Sequence, residues 1–249
     1  MKYIRNILVF YFAISIFTFN LSFADNNFSP EQILYSADLA RGNTKGLEWI
    51  IKIDAIENGK RQKNTLLLKA SRQNSLAEYL SPAKVKGRKL LMQDRNMWFI
   101  KPGLSKPVPI SPRQKLLGGA SNGDIASTDY SGDYTIMDFS QDARFNNQSC
   151  YLFDLKANNK KVTYDKIKYW VSKENLTGVK ADFFTISGKL FKTATFEYKI
   201  IIKNKPRLFV SKMVIKNSLL KNNVTTMYYS KVKIKTIPAS TFNLNLLTR

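Results

Sequence analysis

Leu47-Glu48-Trp49-Ile50-Ile51-Lys52-Ile53-Asp54-Ala55-Ile56-Glu57 reads as a β-strand: Trp49, Ile51 and Ile53 fall on one face, opposite Glu48, Lys52 and Asp54. Asn58-Gly59 follows at once, the dipeptide that best fits a tight hairpin turn. It leads into a second apolar run, Thr65–Ala70, in which Leu66 and Leu68 share a face. The period is two on both sides of the turn, which sets the fold class as β and its pairing as antiparallel.

The same period continues outward. Further β-type runs are Leu76–Leu80, Arg88–Met92, Asn96–Lys101, Asp133–Phe139 and Ser149–Ala157, then Val162–Lys173, Ala181–Ser187, Leu190–Lys203, Arg207–Ile215, Val224–Ile237 and Thr241–Leu246. Turn residues separate them, among them Pro82, Gly87, Pro102-Gly103, Gly178, Gly188 and Asn222-Asn223. About eleven or twelve strands at short spacing predict one large, mostly antiparallel sheet or barrel. One helix precedes them: Ser29 suits the N-cap, Pro30 the first helical position, and Ile33, Leu34, Ala37, Leu39 and Ala40 form an apolar stripe that Gly42 stops.

Residues 1–24 follow the grammar of a secretory signal peptide. Lys2 and Arg5 precede an apolar stretch from Ile7 to Phe19, and Ser22-Phe23-Ala24 offers a small-residue cleavage site. The apolar stretch is shorter than the roughly 20 residues a spanning helix needs. The expectation is an exported chain whose residues 25–249 form a single domain.

Composition removes whole classes of chemistry. The 249 residues include no histidine and one cysteine, so a histidine triad, a histidine-ligated metal and an intramolecular disulfide are excluded. The formal net charge is +22, and residues 151–249 hold 20 basic against five acidic side chains. For an exported chain this favours a transient anionic membrane surface or an acidic partner over nucleic acid. The charge has a structural reading as well. Lys231, Lys233 and Lys235 alternate with Val232 and Ile234, as on a sheet with one dry face and one wet face.

The stretch Leu116–Tyr130, rich in Gly and Asp, runs into Asp133, Asp138 and Asp142. Clustered carboxylates can hold calcium, yet the Asp124–Asp142 spacing matches no EF-hand. Asp124 and Asp129 equally suit helix capping and turns, or a partner contact. No metal and no cofactor is assigned. No serine sits in a nucleophile elbow or stands out beside a lysine, so the chain is not read as an enzyme. Cys150, between apolar neighbours, reads as a packed core residue.

Several stretches together resemble one family. They are Tyr79-Leu80-Ser81-Pro82-Ala83 with Lys86-Gly87, Asn96-Met97-Trp98-Phe99-Ile100-Lys101-Pro102, and Leu117-Gly118-Gly119-Ala120-Ser121-Asn122-Gly123-Asp124-Ile125-Ala126 with Asp133-Tyr134. Cys150–Ala157, Tyr169-Trp170-Val171, Ser187-Gly188-Lys189 and Lys192-Thr193 continue them. Across about residues 30–248 the chain resembles the outer-membrane lipoprotein-sorting protein family of the LolA/LolB-like superfamily. That resemblance implies a mainly β (α+β) fold, an unclosed antiparallel β-barrel wrapped around a few helices. It also implies a non-catalytic periplasmic carrier that shields lipid or lipoprotein acyl chains in an apolar cavity on the way to the outer membrane. The alternative is a docking or sensor module partnered with an inner-membrane RND-type lipid exporter. No ligand residues carry over by position. Alternation alone nominates Trp49, Ile51, Ile53, Leu66, Leu68, Trp98 and Ile100 as cavity lining, with ordinary core packing as the competing role of each.

Overall fold

The computed structural model describes residues 28–104, 106–126, 129–204, 207–220 and 222–247. The expected signal segment, 1–24, lies outside them. Helix α1 (Pro30–Ala40) begins as expected, with Ser29 accepting the Gln32 N–H and the Gln32 side chain accepting the Ser29 N–H. This reciprocal cap satisfies donors that a helix start leaves orphaned.

Strands follow in an almost unbroken meander: β1 (Leu47–Glu57), β2 (Lys60–Ser71), β3 (Asn74–Ser81), β4 (Lys89–Gln93), β5 (Asn96–Ile100) and β6 (Val108–Ile110). After a crossing segment come β9 (Tyr134–Phe145), β10 (Gln148–Ala157), β11 (Lys166–Ser172), β12 (Gly178–Phe184), β13 (Leu190–Ile201), β14 (Leu208–Asn217) and β15 (Val224–Ile234). All thirteen join one sheet in the order β6-β5-β4-β3-β2-β1-β15-β14-β13-β12-β11-β10-β9. Each neighbouring pair is antiparallel. The sheet curls but does not close, since β6 and β9 are its two unpaired edges.

Those edges are consecutive in the chain, so the intervening segment has to span the whole sheet. It carries a two-stranded pair, β7 (Lys115–Leu117) with β8 (Ala120–Ser121), and two one-turn helices, α2 (Gly123–Ala126) and α3 (Tyr130–Asp133). Its path runs over the concave face. Gly118 adopts φ +56°, and a Cβ there would lie 2.6 Å from Ala55 Cβ of β1 and 2.4 Å from Thr225 Oγ1 of β15. Only glycine fits both that conformation and that approach. This strap and α1 together fill the half-barrel.

The strand alternation read from sequence is realised as burial. Along β1, Leu47, Trp49, Ile51, Ile53 and Ala55 are buried and the intervening residues are not. They join one core with Leu66, Leu68, Phe153, Tyr169, Phe183 and Met213 from the sheet and with Ile33, Leu34 and Ala37 from α1. A second, smaller core lies elsewhere: Leu76, Leu91 and Ile100 are covered by Ile237 and Phe242, with Trp98, Leu244 and Leu247 packed alongside.

The final expected strand is not one. Thr241–Leu246 instead spans a 3-10 turn, Ala239–Phe242, and the start of a short helix, α4 (Leu244–Leu247). Its alternating letters imitate a strand, but Asn243 Oδ1 accepts the Asn245 N–H and curls the chain. The apolar side chains then cap the second core. Strands β6, β7 and β8 were not anticipated, because two or three residues are too few to display a period.

Candidate functional site

Two polar anchors hold the filling of the half-barrel in place. The first is built around Lys192. It sits on the inward parity of β13 with Ala194 and Phe196, where the sheet is otherwise apolar. Its Nζ donates to the Gly119 carbonyl at 2.7 Å and contacts Ser121 Oγ and Tyr164 Oη at 3.0 Å. Asp124 Oδ2 lies 3.7 Å away. The Asp124 carboxylate in turn accepts the Ser121 N–H at 2.7 Å and the Tyr164 hydroxyl at 2.6 Å. Gly119 N–H completes the fastening by donating to Thr225 Oγ1 at 2.8 Å. Burial pulls the Lys192 amine below its ordinary range, with the Asp124 carboxylate opposing the shift, and burial pushes the Tyr164 phenol well up. The strap is thus tied by a buried charged network to the end of the concave face beside the β12–β13 and β14–β15 turns.

The second anchor holds α1. Asp38, fully buried, accepts the Ser131 N–H of α3 at 2.7 Å, and Asn43 Nδ2 donates to Asp129 Oδ1 at 3.0 Å. Arg41 lies 4.4 Å over the Tyr130 ring and 5.0 Å from the Phe196 ring centre. Among the described residues, Asp38 Oδ1 and Arg41 Nη1 have no hydrogen-bond partner. Burial pushes the Asp38 carboxyl up to about 7, with the Ser131 N–H and Arg41 pulling less strongly the other way. Its ordinary value is 3.8, so between about 4 and 7 the folded chain keeps a proton that the unfolded chain releases. The stability this group contributes is therefore present below about pH 4 and lost as pH rises through about 7. Asp38→Asn should flatten that portion of a stability-versus-pH curve measured by urea unfolding; an unaltered slope would contradict the assignment.

The half-barrel opens beside the strap. A recess of about 530 Å³ is walled by Ser121, Tyr164, Phe184, Ile186 and Phe191. Ser121 and Tyr164 also belong to the Lys192 network, so this mouth borders the contacts that hold the strap.

The structure brings Trp49, Ile51, Ile53, Leu66 and Leu68 together on that concave face, each 0–2 % exposed and packed in the main core. It does not bring Trp98 and Ile100 there. Both point to the outer core beneath the C-terminal segment. In the β4–β5 pair, Phe99 opposite Leu90 faces inward, whereas Trp98 opposite Leu91 faces outward. In the run Asn96–Lys101 the one charge, Lys101, shares parity with Phe99 and so marks that side as wet, but Lys101 lies just beyond the strand.

The acidic stretch disperses rather than converging. Asp124 joins Lys192, Asp129 caps α3 through the Gly132 N–H, Asp133 pairs with Arg95, and Asp138 lies on β9 with Asp142. Among the described residues no group of three potential metal ligands forms. Cys150 is fully buried in β10. Lys231, Lys233 and Lys235 are exposed while Val232 and Ile234 turn toward the core, as the alternation indicated. Sequence reading passed over Arg41, Tyr164 and Lys192. Lys192 had a signal: it shares parity with Ala194 and Phe196, and a lysine on the dry side of a strand requires an acidic partner.

Comparison with known proteins agrees with this architecture. The chain matches a family model described as "Uncharacterized protein" over residues 71–249. No curated protein matches it. Among solved structures, it is similar to a LolA superfamily protein from Nitrosomonas europaea, with TM-score 0.79 and 24% identity over 88% of this chain and 99% of that one. A domain from Vibrio parahaemolyticus, described as an outer membrane lipoprotein-sorting protein, gives 0.74 and 19% over 88% and 98%. A DUF1329 family protein from Desulfovibrio piger gives 0.73 and 19% over 87% and 97%. Likeness at this level of identity establishes the shared backbone architecture. The chain has the LolA-like fold of these structures, and it belongs to the family whose model spans residues 71–249.

Proposed function

We propose that the protein is a periplasmic carrier that shields the acyl chains of lipids or lipoproteins between the concave sheet face and its movable filling. The observation that carries the reading is the Lys192 network. The strap crosses an apolar face but is fastened to it by Gly119, Ser121, Asp124 and Thr225 through hydrogen bonds and one buried ion pair. Such contacts can be exchanged for water when the strap leaves, so release is cheaper than peeling off a wholly apolar plug. The vacated face, with Ile51, Ile53, Leu66 and Leu68, would then shield methylenes that each cost about 0.8 kcal/mol in water. Shielding of this kind is nondirectional and reversible, as transfer requires.

Ser121, whose hydroxyl lies 3.0 Å from Lys192 Nζ, does not favour hydrolysis. That nitrogen is also held by the Gly119 carbonyl and Tyr164 and faces Asp124, an arrangement suited to the ammonium form rather than a base. Native mass spectrometry of gently purified protein tests the proposal. Co-purifying lipid is the expected result; a consistently empty protein with affinity for an inner-membrane exporter would favour the docking-module alternative.

A further inference from the structure

One end of the half-barrel gathers exposed aliphatic side chains that the core does not use. Ile186, on the β12–β13 turn, is 75% exposed; Leu219 and Leu220, on the β14–β15 turn, are 56% and 50% exposed. The two turns are neighbours, since Lys192 registers with Asn217 and the Ser218 N–H donates to the Phe191 carbonyl at 3.0 Å. The β1–β2 turn adjoins them through the Asn58 N–H, which donates to Asn223 Oδ1 at 3.0 Å, and Ile56 beside it is 40% exposed.

Cations surround this end. Lys156, Lys160, Lys166, Lys189 and Lys216 are exposed, and none forms an ion pair with a described residue. Most acids nearby are already matched, Glu57 with Lys115 at 2.5 Å, Asp165 with Arg113 at 2.8 Å and Asp154 with Lys168 at 3.7 Å, while the exposed Asp138 opposite Asp154 has no ion pair among the described residues and stands against these five lysines. The surplus is therefore positive.

We infer that the turns bearing Ile186, Leu219 and Leu220 dock the protein on an anionic phospholipid bilayer. Isolated aliphatic tips framed by lysines suit the boundary between head groups and acyl chains, where the tips enter and the ammonium groups meet phosphate. A protein partner would instead favour a contiguous patch with an aromatic centre. Ile186 also walls the mouth beside the strap, so docking by these turns sets the mouth against the membrane. The inference goes beyond the carrier reading and needs no interior cargo, because it rests on outer residues alone.

The test is co-sedimentation of the full protein with vesicles of mixed phosphatidylcholine and phosphatidylglycerol, and with vesicles of phosphatidylcholine alone. Binding to the anionic vesicles only is expected, and it should vanish at about 1 M salt, where screening reaches about 3 Å. Ile186→Ser/Leu219→Ser/Leu220→Ser should lower partitioning roughly tenfold or more, and Lys166→Gln/Lys189→Gln should weaken it at low salt only. Both variants should keep the parent's thermal unfolding, and Leu219→Ser/Leu220→Ser, which leaves Ile186 at the mouth untouched, should bind vesicles more weakly while keeping the parent's uptake of a fluorescent fatty acid in their absence, which separates this surface from the interior. Equal vesicle binding by parent and triple variant would overturn the inference. So would absence of vesicle binding combined with self-association that the triple variant abolishes, which would make the patch a contact between copies.

Discussion

Lys192→Met is expected to cost about 3–5 kcal/mol of folding stability, because it strands a carboxylate in the interior. The Asp124 side chain is 2% exposed and, among the described residues, would retain only the Ser121 N–H and the Tyr164 hydroxyl. Met matches the length and apolar stem of lysine, so the loss reports the charge rather than a cavity. The companion Asp124→Asn removes the charge that needs compensation, and the double variant should lose less than the two single losses together. Urea unfolding of the four proteins measures the coupling. A loss below about 1 kcal/mol for Lys192→Met would mean the network does not fasten the strap.

Ile51→Asp should abolish folding. Ile51 is fully buried at the centre of β1, flanked in register by Leu66 of β2 and Tyr229 of β15. An unpaired carboxylate there costs several kcal/mol, comparable to the whole stability of a typical domain. Lys233→Ala, on the exposed face and 3.9 Å from Glu48, should change stability by no more than about 0.5 kcal/mol. Soluble yield and thermal unfolding distinguish the two. From sequence, Ile51→Asp reads as a probe of lipid binding; the packing shows that it probes the fold first, and that cargo has to be tested through the strap. A soluble Ile51→Asp protein with the parent's melting behaviour would contradict the burial of this face.

Much of the architecture was legible because its signal is local. The alternation of Trp49, Ile51 and Ile53 against Lys52 and Asp54 fixes a strand face, and Asn58-Gly59 fixes its partner, whose register closes at Glu57 opposite Lys60. Ser29-Pro30 likewise marks α1 to the residue. The strap was not legible as a strap. Its glycines are explained by Ala55 and Thr225, which lie far away in sequence, and nothing local says that Gly118 passes over them. The same holds for Lys192, whose meaning depends on Asp124 and Tyr164. Five of the seven nominated lining residues share the concave face because strands β1 and β2 are long and carry charges on their wet side. Trp98 and Ile100 lie on the other face, because β5 has five residues and the charge that ends the run, Lys101, falls just beyond it on the parity of Phe99.

The central claim is that the strap must leave the concave face before acyl chains can enter. A Cβ at position 119 would lie 3.6 Å from Thr225 Oγ1, so cysteines at 119 and 225 would have neighbouring side chains for an oxidative cross-link. The measurement is uptake of a fluorescent fatty acid by Gly119→Cys/Thr225→Cys, with Cys150→Ser to remove the native thiol, before and after reduction. The account predicts that the oxidised form binds at least about tenfold more weakly than the reduced form, a difference of about 1.4 kcal/mol, and that reductant restores uptake. Equal uptake by the oxidised and reduced forms would contradict it.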